Sequence, residues 1–352
     1  MPSRRRFLTA VGATAAAVGL AGCSTTVGEP PAERWLYDPS AELGRAFPWQ
    51  SYLTVEVPAA WERRELLPEE WAATVTSFDR SVASVDVTDL RRVTALAFGT
   101  PELTTAGTTV AVTGDIESRR VVREFTQGGV TEHDPVADHR LFGYEPGFLD
   151  RIHRGGVTAS GSLGLAVSEG EAIAGGMLSP EGSAVEAVAA MVRAGAAGDG
   201  GDRRGAGTAG TTGPDRDLRS VGRALGASPL GTPPVSGGIT FDEGLATRVA
   251  DAVPRDWPTL ATTVDDIRAF GVGLRFAARE TLTSFVFVYD PRSIAEDENV
   301  RAALRKLTDE SGDPDSGVVG VRLGPDGRSV VVRTTVSPKA VWTDFRDRLP
   351  GL

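Results

Sequence analysis

The chain has 352 residues, 41% hydrophobic and 24% charged, proportions that exclude wholesale disorder and a polytopic membrane protein. A single cysteine excludes a disulfide framework and any zinc site built on several thiolates. Basic residues number 37 against 47 acidic ones, a formal charge of −10, and no basic stripe is present to neutralise phosphates, so nucleic acid is not an expected partner.

The first segment is Met1-Pro2-Ser3-Arg4-Arg5-Arg6-Phe7-Leu8, followed by small and apolar residues from Thr9 to Gly22 and then Cys23. A cationic start before a short apolar run is the pattern of a signal peptide. The run falls short of the ~20 apolar residues that a spanning helix needs. Ser3-Arg4-Arg5-x-Phe7-Leu8 resembles the twin-arginine export signal, and Leu20-Ala21-Gly22-Cys23 is similar to a lipobox. The resemblance implies cleavage after Gly22 and a glycerol lipid on Cys23. Two acyl chains give stable attachment where one gives only marginal binding. The expected address is therefore the outer face of the cytoplasmic membrane. Removing Arg4, Arg5 and Arg6 with the leader leaves 34 basic against 47 acidic residues, or −13. With Arg strongly favoured over Lys, the chain resembles the uncharacterised twin-arginine-exported lipoproteins of halophilic archaea. That group brings no catalytic residues to carry over.

After the leader (1–22), residues 23–44 read as a lipidated polar tether with Pro30-Pro31, and 45–194 as a first module. Residues 195–217 carry eight glycines and almost nothing large and apolar, the composition of a flexible linker with a root-mean-square span of roughly 25 Å. Residues 218–352 form a second module.

The two modules align as copies. Leu67-Pro68-Glu69-Glu70-Trp71 matches Val253-Pro254-Arg255-Asp256-Trp257, and Val87-Thr88-Asp89-Leu90-Arg91 matches Val264-Asp265-Asp266-Ile267-Arg268. Each copy then has a β-rich run closing on an Asp, Thr108 to Asp115 and Leu282 to Asp290. Amphipathic helices follow, with Val121, Val122 and Phe125 in one and Val300, Ala303, Leu304 and Leu307 in the other. Hairpins come next, around Glu169-Gly170 and around Pro325-Asp326-Gly327. A helix closes each copy, with Val185, Val188, Ala189 and Val192, and with Val341, Phe345 and Leu349. Opening strands at 52–57 and 238–241, with a helix before each Pro-x-x-Trp, give a β-α-β-β-α-β order followed by an extra strand and helix. The expected fold is thus α+β, a tandem of ferredoxin-like modules with mostly antiparallel sheets and helices on one face.

The three histidines, His133, His139 and His153, lie near Asp138, and imidazole with carboxylate is a possible first shell for a divalent metal. His133 and His139 are six apart with Pro135 between them, so one helix face cannot present both, and a solvated loop between helix and strand is the plainer expectation. Gly205-Ala206-Gly207-Thr208-Ala209-Gly210 matches a dinucleotide fingerprint but lies in the linker without the required strand and helix. Asp313-Pro314-Asp315-Ser316-Gly317 resembles a calcium loop but lacks its third ligand and closing Glu. No P-loop, zinc-protease motif or nucleophile elbow is present. The N-terminal aromatics Trp35, Tyr37, Phe47, Trp49, Tyr52, Trp61 and Trp71 suit a lipid surface, sugar stacking, or a clamp of the tether onto the first module. Paired arginines at 63–64, 91–92, 119–120 and 203–204 read as solvated faces.

No cofactor and no catalytic residue is expected. The leading expectation is a non-enzymatic interaction or envelope module, partnered with the membrane through its lipid and with an envelope protein. A solute-binding lipoprotein of a transporter and a metal-dependent hydrolase using the histidine region are the alternatives.

Overall fold

In the computed structural model of the chain, one antiparallel sheet of twelve strands spans both halves of the sequence. The structure describes residues 32–63, 85–100, 105–126, 130–154, 157–179, 183–199, 214–227, 232–240, 267–276, 281–289 and 318–335. The strands of the first half are β1 (Trp49–Glu56), β2 (Leu90–Gly99), β3 (Ala106–Gly114), β4 (Thr131–Val136), β5 (His139–Arg154), β6 (Val157–Ser168) and β7 (Glu171–Leu178). Those of the second half are β8 (Val235–Thr240), β9 (Ile267–Phe276), β10 (Thr281–Tyr289), β11 (Val318–Leu323) and β12 (Ser329–Thr335). Across the sheet they run β11-β12-β10-β9-β8-β1-β2-β3-β7-β6-β5-β4.

This arrangement overturns the ferredoxin-like expectation. In that fold the first and third strands lie side by side through parallel crossovers. Here β1 pairs directly and antiparallel with β2, from Trp49↔Gly99 to Glu56↔Arg92. The two halves also share one sheet, since β1 and β8 are hydrogen-bonded neighbours with Leu53 opposite Gly237. Outward from that central pair the strand order reads the same on both sides, β1-β2-β3-β7-β6 and β8-β9-β10-β12-β11. Sequence pattern identifies strands but not their partners, and the same runs serve a meander as well as a split crossover. The hairpin of β4 and β5, where a solvated loop was expected, extends the first half by two strands.

Helices cover both faces of the sheet rather than one. The helices are α1 (Pro39–Glu42), α2 (Val57–Trp61), α3 (Ser118–Thr126), α4 (Ala184–Asp199) and α5 (Pro214–Gly226). On one face α4 and α5 lie over Leu96, Phe98, Ala111, Ile173, Ala269, Val286 and Val331. On the opposite face Val121 and Phe125 of α3, with Val57 of α2, meet Leu90, Phe142, Leu165 and Val167. Alternation along each strand supplies the two faces: Leu163, Leu165 and Val167 turn one way, and Ser162 and Ala166 the other.

Helix α4 follows from an Ala-rich run of high helix propensity. Its first amide groups are capped, with Ala184 N donating to Ser162 Oγ at 2.9 Å and Val185 N to Ser183 Oγ at 3.2 Å. It lies so close to the sheet that a β-carbon on Gly175 would come within 2.6 Å of Val188 Cγ2. Helix α5 buries Leu218, Val221, Ala224 and Leu225, a one-sided stripe. Residues 195–199 and 214–217, expected in the linker, therefore belong to these helices. The remainder of that segment, the Pro-x-x-Trp motifs, the 205–210 and 313–317 motifs, and the helices expected at 300–307 and 341–349 lie outside the described residues.

The stretch after the leader, expected as polar tether to residue 44, is built into the fold from Arg34 onward. A short 3₁₀ turn (Ala32–Trp35) leads into a strap that runs to Phe47 and crosses the α4/α5 face of the sheet. Trp35, Leu36 and Tyr37 are only 2–4% exposed and Phe47 is 1% exposed. Phe47 and Tyr37 meet Phe98 of β2 edge-on, at ring-centre distances of 4.7 and 6.4 Å. Burial pushes the Tyr37 phenol well above its ordinary pKa, with the Thr109 hydroxyl opposing part of the rise.

Candidate functional site

Polar side chains gather where the strap enters, at the end of the sheet that holds the β4–β5 and β6–β7 turns. The β4–β5 turn is Ala137-Asp138, with Ala137 in the left-handed region at φ 52°, and it delivers His139 to the first position of β5. The β6–β7 turn is Glu169-Gly170, with Gly170 at φ +74°, and it places Ser168 and Glu171 opposite one another. His139 is 4% exposed. Its Nδ1 lies 2.8 Å from Asp138 Oδ1, while its Nε2 lies 3.1 Å from Ser168 Oγ and 3.4 Å from Glu171 Oε2. Arg34 of the strap completes the group, with Nη1 3.4 Å from Glu171 Oε1 and Nε donating to Gly195 O of α4 at 3.0 Å. Its guanidinium also stacks over the Trp35 ring at 4.5 Å.

Acid, imidazole and hydroxyl thus stand in the order of a hydrolytic triad, and the geometry argues against that use. Asp138 Oδ1 is near Nδ1 but off the line a hydrogen bond needs, leaving Nδ1 without a bonded partner. A second carboxylate, Glu171, competes for the nitrogen that would take the Ser168 proton. Ser168 is 9% exposed, and Arg34 and Glu171, themselves largely buried, pack against the cluster. A nucleophile must reach a reacting carbon beside donors that stabilise the developing charge. This cluster instead joins the strap, β5, β6, β7 and α4 by polar contacts.

The metal candidates do not converge. The two ring nitrogens of His139 face different carboxylates, so Asp138 and Glu171 share no point with it. His133 sits on β4 opposite Leu141 and lines a separate open groove of about 460 Å³, with Glu42, Asp134, Val185, Glu186 and Arg193. His153 lies farther along β5, opposite Thr158. Among the described residues no group of three or more His, Cys, Asp or Glu side chains is arranged to hold a metal ion. The groove carries one ion pair across it, Arg193 to Glu42 at 3.0 Å, between side chains about half exposed.

The export and lipidation residues Arg4, Arg5, Phe7, Leu8, Leu20, Ala21, Gly22 and Cys23 lie outside the described residues. The N-terminal aromatics are core rather than a lipid-facing belt: Trp35, Tyr37, Phe47 and Tyr52 are buried, and Trp49 Nε1 donates to Thr100 O at 3.2 Å. Of the paired arginines, Arg92 is bonded to Glu56 at 3.1 Å, whereas Arg91, Arg119 and Arg120 are exposed. Arg34, Ser168 and Glu171 escaped sequence reasoning because they are distant in the chain. The apolar run Trp35-Leu36-Tyr37 inside a polar stretch was the available signal.

No protein-family model matches the chain, and no curated protein matches it. Solved structures of TP0453 are similar to it. Crystal form I gives a TM-score of 0.40 at 10% identity, covering 88% of this chain and 98% of that one. Form IV gives 0.42 at 9% identity, covering 88% and 96%. Likeness this distant carries no inference about function.

Among the described residues no helix is long and apolar enough to cross a membrane.

Proposed function

We propose that this chain is a lipid-anchored extracytoplasmic protein, exported by its twin-arginine leader, acylated at Cys23, and acting as a non-enzymatic interaction or envelope module. The observation that supports this most directly is the strap. Only eight residues separate Cys23 from Ala32, and from Arg34 on the chain is packed into the core. An anchor placed there holds the folded body itself at the membrane rather than on a long leash. The two ring nitrogens of His139 facing separate carboxylates, with His133 in a different groove, weigh against the metal-dependent hydrolase alternative. The single continuous sheet likewise weighs against the solute-binding alternative, which calls for two lobes closing on a ligand.

The test is fractionation of the native host. The wild-type chain is expected in the membrane pellet with a mass that lacks residues 1–22 and carries a lipid. Cys23→Ser is expected in the soluble extracytoplasmic fraction or the medium. Recovery of the intact, unacylated chain in the cytosol would sink the proposal.

A further inference from the structure

We infer that the sheet end bearing the β4–β5 and β6–β7 turns faces the membrane, and that the opposite end points away. This rests on the anchored reading above, and it adds which surface of the fold meets the lipid. The argument is one of chain length. Arg34 is fixed at the turn end by Glu171 of β7 and Gly195 of α4. From there the strap runs away from that end. Arg45 reaches Thr105 Oγ1 and Ser179 Oγ, at 3.2 and 3.1 Å, where β3 begins and β7 has ended. Phe47 N is held by Ser40 Oγ at 3.0 Å, and β1 then returns the chain to the turn end. The chain therefore leaves the fold toward its anchor at the turn end only.

Nine Cα–Cα steps join Cys23 to Ala32, at most about 30 Å when fully extended. Strand β1 has eight residues, so the far end lies about 20–25 Å beyond the turn end. The tether brings the turn end near the lipid without being stretched, whereas presenting the far end would require it to run almost fully extended back along the body. Charge sets the character of the contact. The exposed side chains at the turn end carry both signs, Asp89, Asp115, Glu117, Asp138 and Glu169 against Arg91, Arg119, Arg120 and Arg140. A rim of nearly balanced charge has no basic cluster to bind anionic headgroups, so the lipid on Cys23 carries the attachment.

The experiment places single cysteines at two exposed positions, Glu169→Cys at the turn end and Ala46→Cys at the far end. In the native host Cys23 is acylated, so only the introduced thiol takes a maleimide fluorophore. Energy transfer is then read to a headgroup-labelled acceptor lipid in the cell membrane. Transfer is expected to be at least twofold more efficient from position 169 than from position 46. A ten-residue Gly/Ser insertion after Thr26 is expected to shrink that ratio toward one. Equal or reversed transfer in membrane-bound protein overturns the orientation while leaving the anchor intact. Recovery of the labelled wild-type background in the soluble fraction instead overturns the anchored reading, and the orientation falls with it.

Discussion

Trp35 of the strap packs against Gly195 of α4, so close that a β-carbon on Gly195 would come within 2.8 Å of Trp35 Cε3. Gly in a helix interior normally costs about 1 kcal/mol relative to Ala. Gly195→Ala should therefore stabilise an isolated helix. In the folded chain the added methyl meets a ring that is itself buried and cannot swing away. We expect the sign to reverse, with a loss of about 1–3 kcal/mol, the usual cost of overpacking. A thermal melt decides the matter, and a raised melting temperature in the variant would show that the strap does not rest on α4.

Arg34 and Glu171 make the polar half of the same junction. Glu171→Gln keeps the shape but removes the charge that faces both Arg34 and His139. Because Arg34 is largely buried, loss of its partner is expected to cost about 1–3 kcal/mol, more than an exposed pair is worth. Adding Arg34→Gln should recover part of that loss, giving a coupling of about 1 kcal/mol in a double-mutant cycle from urea denaturation. Strictly additive effects would mean that the two side chains do not act together.

How much of this was visible in the sequence differs by feature. The hairpin turn at Glu169-Gly170 was legible because its residue types fix local backbone geometry, and Gly170 does adopt a positive φ. Helix α4 was legible from its apolar spacing. The pairing of β1 with β2 and of β1 with β8 was not, because nothing local distinguishes one antiparallel partner from another. The β4–β5 hairpin was hidden for a different reason. Glu132, Asp134 and Pro135 are what a protected edge strand carries, and the same residues are typical of loops. The Ser168–His139–Glu171–Arg34 group depends on those pairings and so stayed hidden with them.

The turn between β11 and β12 carries an acid-sensitive carboxylate. Burial works to raise the pKa of Asp326, but hydrogen bonds outweigh it and hold the group below its usual range. Arg328 N and Ser329 Oγ both donate to Oδ1 at 3.0 Å. A depressed folded pKa means stability that is present above the ordinary carboxylate value near 3.9 and lost as pH falls through the lower folded value. Asp326→Ala is expected to lower the urea midpoint at pH 7 and to converge on the parent as pH drops below about 4. A gap that stayed constant from pH 7 to pH 3 would assign the effect to packing rather than to the charge.

The remaining prediction concerns the whole charge of the mature chain, −13 once residues 1–22 are removed. Self-repulsion of that size opposes the folded state, and salt relieves it by screening. The Debye length falls from about 10 Å at 0.1 M to about 3 Å at 1 M, so most of the relief comes below 1 M. Excluded salts also strengthen apolar burial, but that effect keeps growing beyond the range where screening saturates. The melting temperature of the Cys23→Ser chain should therefore climb steeply between 0.05 and 1 M NaCl and flatten above it. A stabilisation of about 1 kcal/mol corresponds to only about 1–2 °C in a chain of this length, so the climb is read over several salt concentrations. A melting temperature unmoved across that interval would mean that the carboxylates are already compensated by their neighbours, and that the acidic surplus makes no demand on the surrounding salt.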